Sequence, residues 1–248
     1  MKTLKIFTLV SLLLVLMSGS AVSQVKFALG PTLGLTLPTG DYSGTTLDYY
    51  VGTKYGQSTG LNLGLVVKAG LGPIINIRVA GIFSFLKNEG NSEPGQGFIE
   101  VKNGLFMISA GPEFSFKLPA SPVKPYAGVD LLFTSISGET SFQGVSRVPS
   151  GTFDMSTASR IGLGFGAGVE YTLSKKYILD FTIRFNLINL TGKEFEDVNP
   201  TDDRRLDSYL ALNDAKDPVY PTDIDKHPIG NDRSISVVMF NLAFLFGF

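Results

Sequence analysis

Residues Asp232 to Phe248 read DRSISVVMFNLAFLFGF, and this stretch limits the fold more than any other. Val238, Phe240, Leu242, Phe244, Phe246 and Phe248 share one parity, while Met239, Asn241, Ala243, Leu245 and Gly247 share the other. A period of two is the signature of a strand, because successive side chains of an extended chain point to opposite faces. A transmembrane helix needs about 20 apolar residues, and this run is shorter and holds Asn241 in its middle. One face is bulky and apolar throughout, as a strand facing lipid requires. The last strand of a soluble sandwich is the competing reading of this segment.

The same alternation recurs upstream. Strands are expected at Val25–Leu37, Leu61–Leu71, Ile74–Lys87, Asn103–Leu118, Lys124–Ser137, Ser159–Leu173 and Tyr177–Leu190. With the terminal segment they make eight. Pro31 removes one ladder donor and predicts an irregularity in the first strand. The connections are expected to alternate. Polar stretches at Pro38–Gly60, Asn88–Lys102, Gly138–Ala158 and Thr191–Asn231 are long, and the turns near Gly70–Pro73, Pro119–Val123 and Ser174–Lys176 are short. Strands of 11 to 17 residues exceed the usual soluble length of about five or six. They suit tilted membrane spans.

Charges are sorted by parity. Lys26, Lys68, Arg78, Glu113, Lys117, Asp130, Arg160, Glu170, Asp180 and Arg184 all fall opposite the bulky apolar face. A charge on a lipid-facing position costs roughly 2–4 kcal/mol at mid-membrane for Lys or Arg. These residues are therefore expected to form a barrel-interior polar network. Gly162, Gly164, Gly166 and Gly168 give up side-chain volume where larger neighbours such as Arg184 or Asp180 need it. A secreted soluble barrel, lipocalin-like or avidin-like, inverts inside and outside, and local alternation alone does not distinguish the two. The fold class expected is all-β, an eight-stranded antiparallel transmembrane β-barrel with short periplasmic turns and long extracellular loops. Lipid offers the backbone no partners, so such a sheet must close on itself. Eight strands leave room for side chains or one small ligand, so a largely plugged lumen is expected. Tyr171 and Tyr177 point outward near the short turns, where an aromatic belt meets the membrane interface.

Met1 to Ser23 reads as a signal peptide: Lys2 and Lys5, an apolar stretch from Phe7 to Met17, and the small-x-small site Ala21-Val22-Ser23. The barrel domain is then 24–248. The formal net charge is −1. Removal of Lys2 and Lys5 makes it about −3, which argues against a nucleic-acid partner. No cysteine is present, so disulfides and thiol chemistry are excluded.

The pattern KPYAGVD at 124–130, GFGAGVEYTLSKKYILDFTIRF at 164–185 and the terminal Phe248 resemble the small eight-stranded outer-membrane β-barrel proteins. The similarity is greatest to the outer-membrane β-barrel domain proteins of the Bacteroidetes group. It extends over essentially the whole mature chain. It implies export to a Gram-negative cell outer membrane, contact with outer-membrane lipids, insertion by the barrel assembly machinery, and exposed variable loops. It also implies that Phe248 is part of the assembly signal.

No catalytic set is evident, and the chain is read as a non-enzyme without cofactors. His227 is the single histidine and is expected to be a solvated loop residue. Its pairing with Ser208 is conceivable, but no spacing supports it. The acidic stretch from Glu194 to Asn231 contains Asp202, Asp203, Asp207, Asp214, Asp217, Asp223 and Asp225. It is read as an exposed, repelling loop, with calcium binding as the alternative, and Arg204–Leu212 as a possible short helix. Tyr42, Tyr49, Tyr50 and Phe142 are candidate loop contacts. Three functions remain open. The first is a structural or surface-interaction protein that meets an extracellular or surface protein partner. The others are a narrow channel for small or apolar solutes and an accessory component of an outer-membrane secretion or assembly machine.

Overall fold

The computed structural model describes residues 26–93, 95–116, 118–119, 121–198, 204–220 and 226–248. The segment expected to be a signal peptide, Lys117, Asp202, Asp203, Asp223 and Asp225 lie outside them. The strands are β1 (Lys26–Thr39), β2 (Gly60–Gly70), β3 (Ile75–Glu93), β4 (Gln96–Ser115), β5 (Val123–Gln143), β6 (Gly151–Thr172), β7 (Tyr177–Thr191) and β8 (Ser236–Gly247). Each pairs with its sequence neighbours, and β1 pairs with β8, so the antiparallel sheet is a closed barrel. Closure removes both edges, which is what a sheet in lipid requires. Among the described residues no helix is long and apolar enough to cross a membrane.

The outer wall is apolar in the manner the alternation predicts. Leu33, Leu61, Leu131, Phe165, Phe181 and Leu242 are all exposed. On β3 the outward row runs Ile75, Ile77, Val79, Gly81, Phe83, Phe85 and then turns charged at Lys87. Ten residue steps span about 33 Å along a strand, or about 25 Å at a tilt of about 40°, which is the height of a membrane-spanning apolar band. Tyr177 closes the lower edge and stacks on Phe244, with ring centroids 5.7 Å apart. Tyr171 is exposed on the same belt. Pro31 has its effect on one side only: the pairing with β2 is continuous, while that with β8 skips Gly30 and Pro31.

Two of the expected long loops are mostly strand. β3 and β4 stay paired to Glu93 and Gln96, and β5 and β6 continue to Phe142 and Gly151. These extensions rise past the apolar band, so their outward face meets water and is polar. Their inward face stays apolar, with Ile99, Val101 and Phe142 buried. A hairpin with a polar outer face carries no lipid-facing signal, so the sequence read it as loop. The long connections that remain are 40–59 and 192–235.

Inside, the barrel has two layers. Towards the short turns the interior is ionic. Towards the long connections it is a mainly apolar cluster that includes Val66, Ile82, Leu105, Met107, Leu132, Ile136, Ile188 and Met239, with hydrogen-bonded Thr36, Asn62 and Ser84 among them. The interior network expected from the sequence named only the charged members of this parity. Apolar members dominate its upper half, where Tyr42, Tyr55, Leu212 and Ile235 of the two long connections join the cluster.

Candidate functional site

The ionic layer is built by register. Lys68 lies opposite Arg78 across β2–β3, and Glu170 opposite Asp180 across β6–β7. On β6, Gly164, Gly166 and Gly168 leave the space their neighbours occupy. A Cβ at Gly166 would stand 2.6 Å from the Cγ of Arg184, and one at Gly168 2.4 Å from the Tyr126 ring. The side chains meet in the middle of the lumen. Lys68 Nζ reaches Glu113 at 3.0 Å, Glu170 at 2.9 Å and Asp180 at 2.8 Å. It also sits 3.9 Å above the Tyr126 ring. Arg184 donates through Nη2 to Glu113 at 2.6 Å and through Nη1 to Asp130. Arg78 reaches Asp130 at 3.2 Å and donates to Ser109. Tyr126 donates to Asp180 at 2.5 Å and lies within hydrogen-bonding distance of Thr182. Lys68, Arg78, Glu113, Asp130, Asp180 and Arg184 are all buried. Three cations meet four carboxylates, and Lys124 at 3.4 Å from Glu170 supplies the fourth positive charge at the rim of the layer, so every buried charge has an opposite partner, as a low-dielectric interior demands.

Three of the expected members stand elsewhere or outside the described residues. Lys26 is exposed at the rim, as the first residue of β1. Arg160 is buried but belongs to the opposite end of the barrel. It grips Asp214 through Nε and Nη2 at 2.8 and 2.7 Å and Glu194 through Nη1 at 3.0 Å. Lys117 lies outside the described residues. Tyr126, which was not among the charged candidates, is a central hydrogen-bonding and cation–π partner. Its inward parity was the available signal.

Above the apolar layer the two long connections form a folded cap. In the first, Thr45 and Asp48 make a reciprocal capping box that starts helix α1 (Thr46–Tyr50), a local device that satisfies free N-terminal amides. It turns Tyr49 and Tyr50 inward. In the second, helix α2 (Arg204–Asp207) precedes Tyr209, which stacks on His227 with centroids 4.0 Å apart. Tyr209 and Arg205 both donate to the Tyr50 carbonyl, at 2.8 and 3.0 Å. Gly52, at φ +82, lets the connections touch: a Cβ there would lie 2.1 Å from the Pro228 carbonyl oxygen. Arg233 donates to the Leu212 and Asn213 carbonyls and lies over the Tyr55 ring at 4.0 Å.

The 192–235 connection is therefore not the repelling, solvated loop its acidic composition suggests. Asp214, Asp217 and His227 are buried. Burial pushes the Asp214 carboxyl up, yet hydrogen bonds from Arg160, Asn189 and the Glu194 amide outweigh it and hold the group below the usual carboxylate range. His227 is 2 % exposed. Burial first, and then the charges of Arg233 and Arg205, hold its imidazole well below the ordinary histidine value. Its Nε2 lies 2.7 Å from the Tyr49 carbonyl oxygen, so in the neutral ring that nitrogen is the donor. Ser208 Oγ accepts from the His227 amide and donates to the Arg205 carbonyl. The pair is thus a backbone clasp, and the hydroxyl is not activated by the imidazole. Tyr42 and Phe142 are also fully buried, so the loop aromatics close the cap and do not project from it. Among the described residues no cluster of metal-ligating side chains is present.

A family model described as "Outer membrane protein beta-barrel domain" matches residues 9–204. No curated protein matches the sequence. Solved structures with a similar chain path include Neisserial surface protein A, at 15 % identity, covering 90 % of this chain and 97 % of that one with a TM-score of 0.48. The N-terminal β-barrel domain of OprF from Pseudomonas aeruginosa is 10 % identical, covering 91 % and 100 %, with a TM-score of 0.44. The attachment invasion locus protein of Yersinia pestis is 12 % identical, covering 90 % and 99 %, with a TM-score of 0.44.

Proposed function

The chain belongs to the outer membrane protein β-barrel domain family, and from that premise we propose a closed barrel of structural or surface-interaction type. In this reading the lumen does not conduct, and the long-connection end faces outward and meets partners. The observation that carries it is the lumen filling. Lys68, Glu113, Asp130 and Arg184 cross-link strands from opposite sides of the barrel. The layer above them is packed by Leu105, Leu132, Ile136 and Met239 around the hydrogen-bonded Thr36, Asn62 and Ser84, and the cap closes the upper end. An ion crossing this interior must break buried ion pairs and then displace close-packed, mainly apolar side chains, and both steps are costly. The cap is held by hydrogen bonds between the two long connections, so it offers a preformed surface. Preformed surfaces bind without the ordering cost of a mobile loop. The barrel assembly machinery would act on the β8 end, with Phe248 in the signal.

The test is conductance of the refolded protein in a planar bilayer, after heat-modifiable gel mobility has shown that the barrel is folded. A silent bilayer is expected. Discrete current steps that change with Arg184→Gln would overturn the reading in favour of a channel.

A further inference from the structure

Arg233 differs from the cations of the ionic layer and from Arg160. Lys68, Arg78 and Arg184 each hold a carboxylate in the lumen, and Arg160 holds Asp214 in the cap. Arg233 is only 4 % exposed, yet no carboxylate pairs with it among the described residues. The Asp214 backbone carbonyl accepts from the Arg233 amide, but the Asp214 carboxylate is already taken. Its Oδ1 accepts from Arg160 Nη2 and the Glu194 amide, and its Oδ2 from Arg160 Nε and Asn189 Nδ2. Arg233 Nη2 donates to the Leu212 and Asn213 carbonyls, while Nε and Nη1 have no acceptor among the described residues. The Tyr55 ring against the guanidinium softens the charge without cancelling it. A buried cation with idle donors and no counter-charge is costly.

Arg233 also lines a small cavity under the cap. The hollow measures about 10 Å³, the space of about one water-sized particle. Tyr49, Tyr55, Asn103, Thr140 and His227 stand in the same wall, and no carboxylate lines it. Tyr55 is as buried as Arg233, and its hydroxyl also lacks a partner. Thr140 and the Tyr49 hydroxyl bond each other, so the unpartnered donors are those of Arg233 and Tyr55. A particle that accepts hydrogen bonds, carries negative charge and is scarcely larger than water satisfies both. A polyatomic anion such as phosphate is too large for the space.

We propose that this cavity binds a single chloride-sized anion, held by Arg233 and the Tyr55 hydroxyl. Tyr55 belongs to the 40–59 connection and Arg233 to the 192–235 connection, so the ion clamps the two halves of the cap. His227 couples the site to protons. The charges that act on its ring are Arg233 and Arg205. The ring packs against Tyr209 and Tyr49, Ser208 Oγ meets its amide, and neighbouring Lys226 is paired with Asp197. With Nε2 on the Tyr49 carbonyl, Nδ1 is a lone pair in the neutral ring and an N–H donor in the protonated one. A bound anion offsets the cations that keep the ring neutral, so it eases protonation. By reciprocity the anion binds more tightly as the pH falls. The proposal does not depend on whether the lumen conducts.

Hydrogen exchange of the refolded full-length barrel tests it, in sodium chloride against sodium gluconate at equal ionic strength. Gluconate is too large for the cavity. With chloride at about ten times its dissociation constant, the amides of residues 204–220 and 226–235 should exchange about tenfold more slowly than in gluconate. The ratio should be larger at about pH 5.5 than at about pH 7.5. Tyr55→Phe keeps the ring against Arg233 and removes only the hydroxyl, so it should raise the chloride concentration for half effect about two- to tenfold. Arg233→Gln should abolish the chloride effect, with gel mobility reporting a folded barrel. Crystals grown in bromide should show an anomalous peak in the cavity. Equal exchange of the wild type in the two salts would overturn the proposal. So would a chloride effect that persists in folded Arg233→Gln or is untouched by Tyr55→Phe, or a bromide-grown crystal with only a water at the site.

Discussion

The two layers inside the barrel solve one packing problem by opposite means. Near the short turns, seven charged side chains, Lys68, Arg78, Glu113, Asp130, Glu170, Asp180 and Arg184, fill the lumen with mutual ion pairs. Near the cap, Leu105, Leu132, Ile136 and Met239 fill it as the core of a soluble protein does. Burial alone does not separate them, since Glu113 and Leu105 are both fully inaccessible. The difference is in what a single deletion leaves behind. In the apolar layer it leaves a void. In the ionic layer it leaves an unmatched charge. Ion pairs are specific in geometry and direction, so the lower layer fixes which strands face each other across the lumen. The upper layer accepts any well-shaped apolar lid, and the cap supplies one.

The sharpest way to break this comparison is Arg184→Ala. It leaves only Lys68 and Arg78 inside the layer to hold Glu113, Asp130, Glu170 and Asp180, and a loss of about 3–5 kcal/mol is expected, measured by urea unfolding in lipid vesicles. The double change Arg184→Met with Asp130→Asn removes one charge of each sign, leaves Arg78 beside Glu113 and should recover part of that loss. If the single and double variants were equally unstable, volume and not charge would govern the layer. Leu105→Ala in the upper layer should cost about 3 kcal/mol by creating a cavity, and no polar substitution elsewhere should rescue it.

The cap responds to pH through His227. The folded protein keeps its imidazole neutral, whereas the unfolded connection takes up a proton near the ordinary histidine value of about 6.5. Stability of the cap is therefore full above about pH 6.5 and falls as the pH drops below it, by about 1.4 kcal/mol per pH unit for one proton. Hydrogen exchange of residues 204–235 should quicken on acidification, and His227→Gln should flatten that dependence. The smallest effect is expected for Gly166→Ala. Its methyl group would stand 2.6 Å from the Cγ and 3.0 Å from the guanidinium carbon of Arg184, which ion pairs hold in place, so the side chain must shift at a cost of about 1–3 kcal/mol, read by the same urea unfolding. A cost several times larger would mean that Arg184 has no second position and that the ionic layer is rigid.

Much of the architecture was legible in the linear pattern. The outward faces of β2, β7 and β8 followed directly from alternation, and so did the inward parity of Arg78, Asp130 and Arg184. Less was legible where both faces of a strand lie outside lipid. The hairpin extensions of β3–β4 and β5–β6 carry polar residues on their outer face and read as loops. The cap was least legible. His227, Asp214 and Tyr209 sit in a stretch whose acidic composition argues for solvation, and their burial depends on Arg160, Tyr50 and Arg233 arriving from distant segments.

The sequence by itself determined the strand number, the lipid-facing surface and the direction in which most charges point. Those are local consequences of a period of two in a solvent that rejects charge. Tertiary structure decided the partners. Lys68 meets Glu170 across 102 residues of chain, and Arg184 meets Glu113 across 71. No local pattern encodes which inward side chains share a level once the sheet has closed. Closure also decided that the upper lumen packs apolar side chains around Thr36, Asn62 and Ser84, and that the acidic connection folds into a lid. Each of these depends on the residues that the register places beside it.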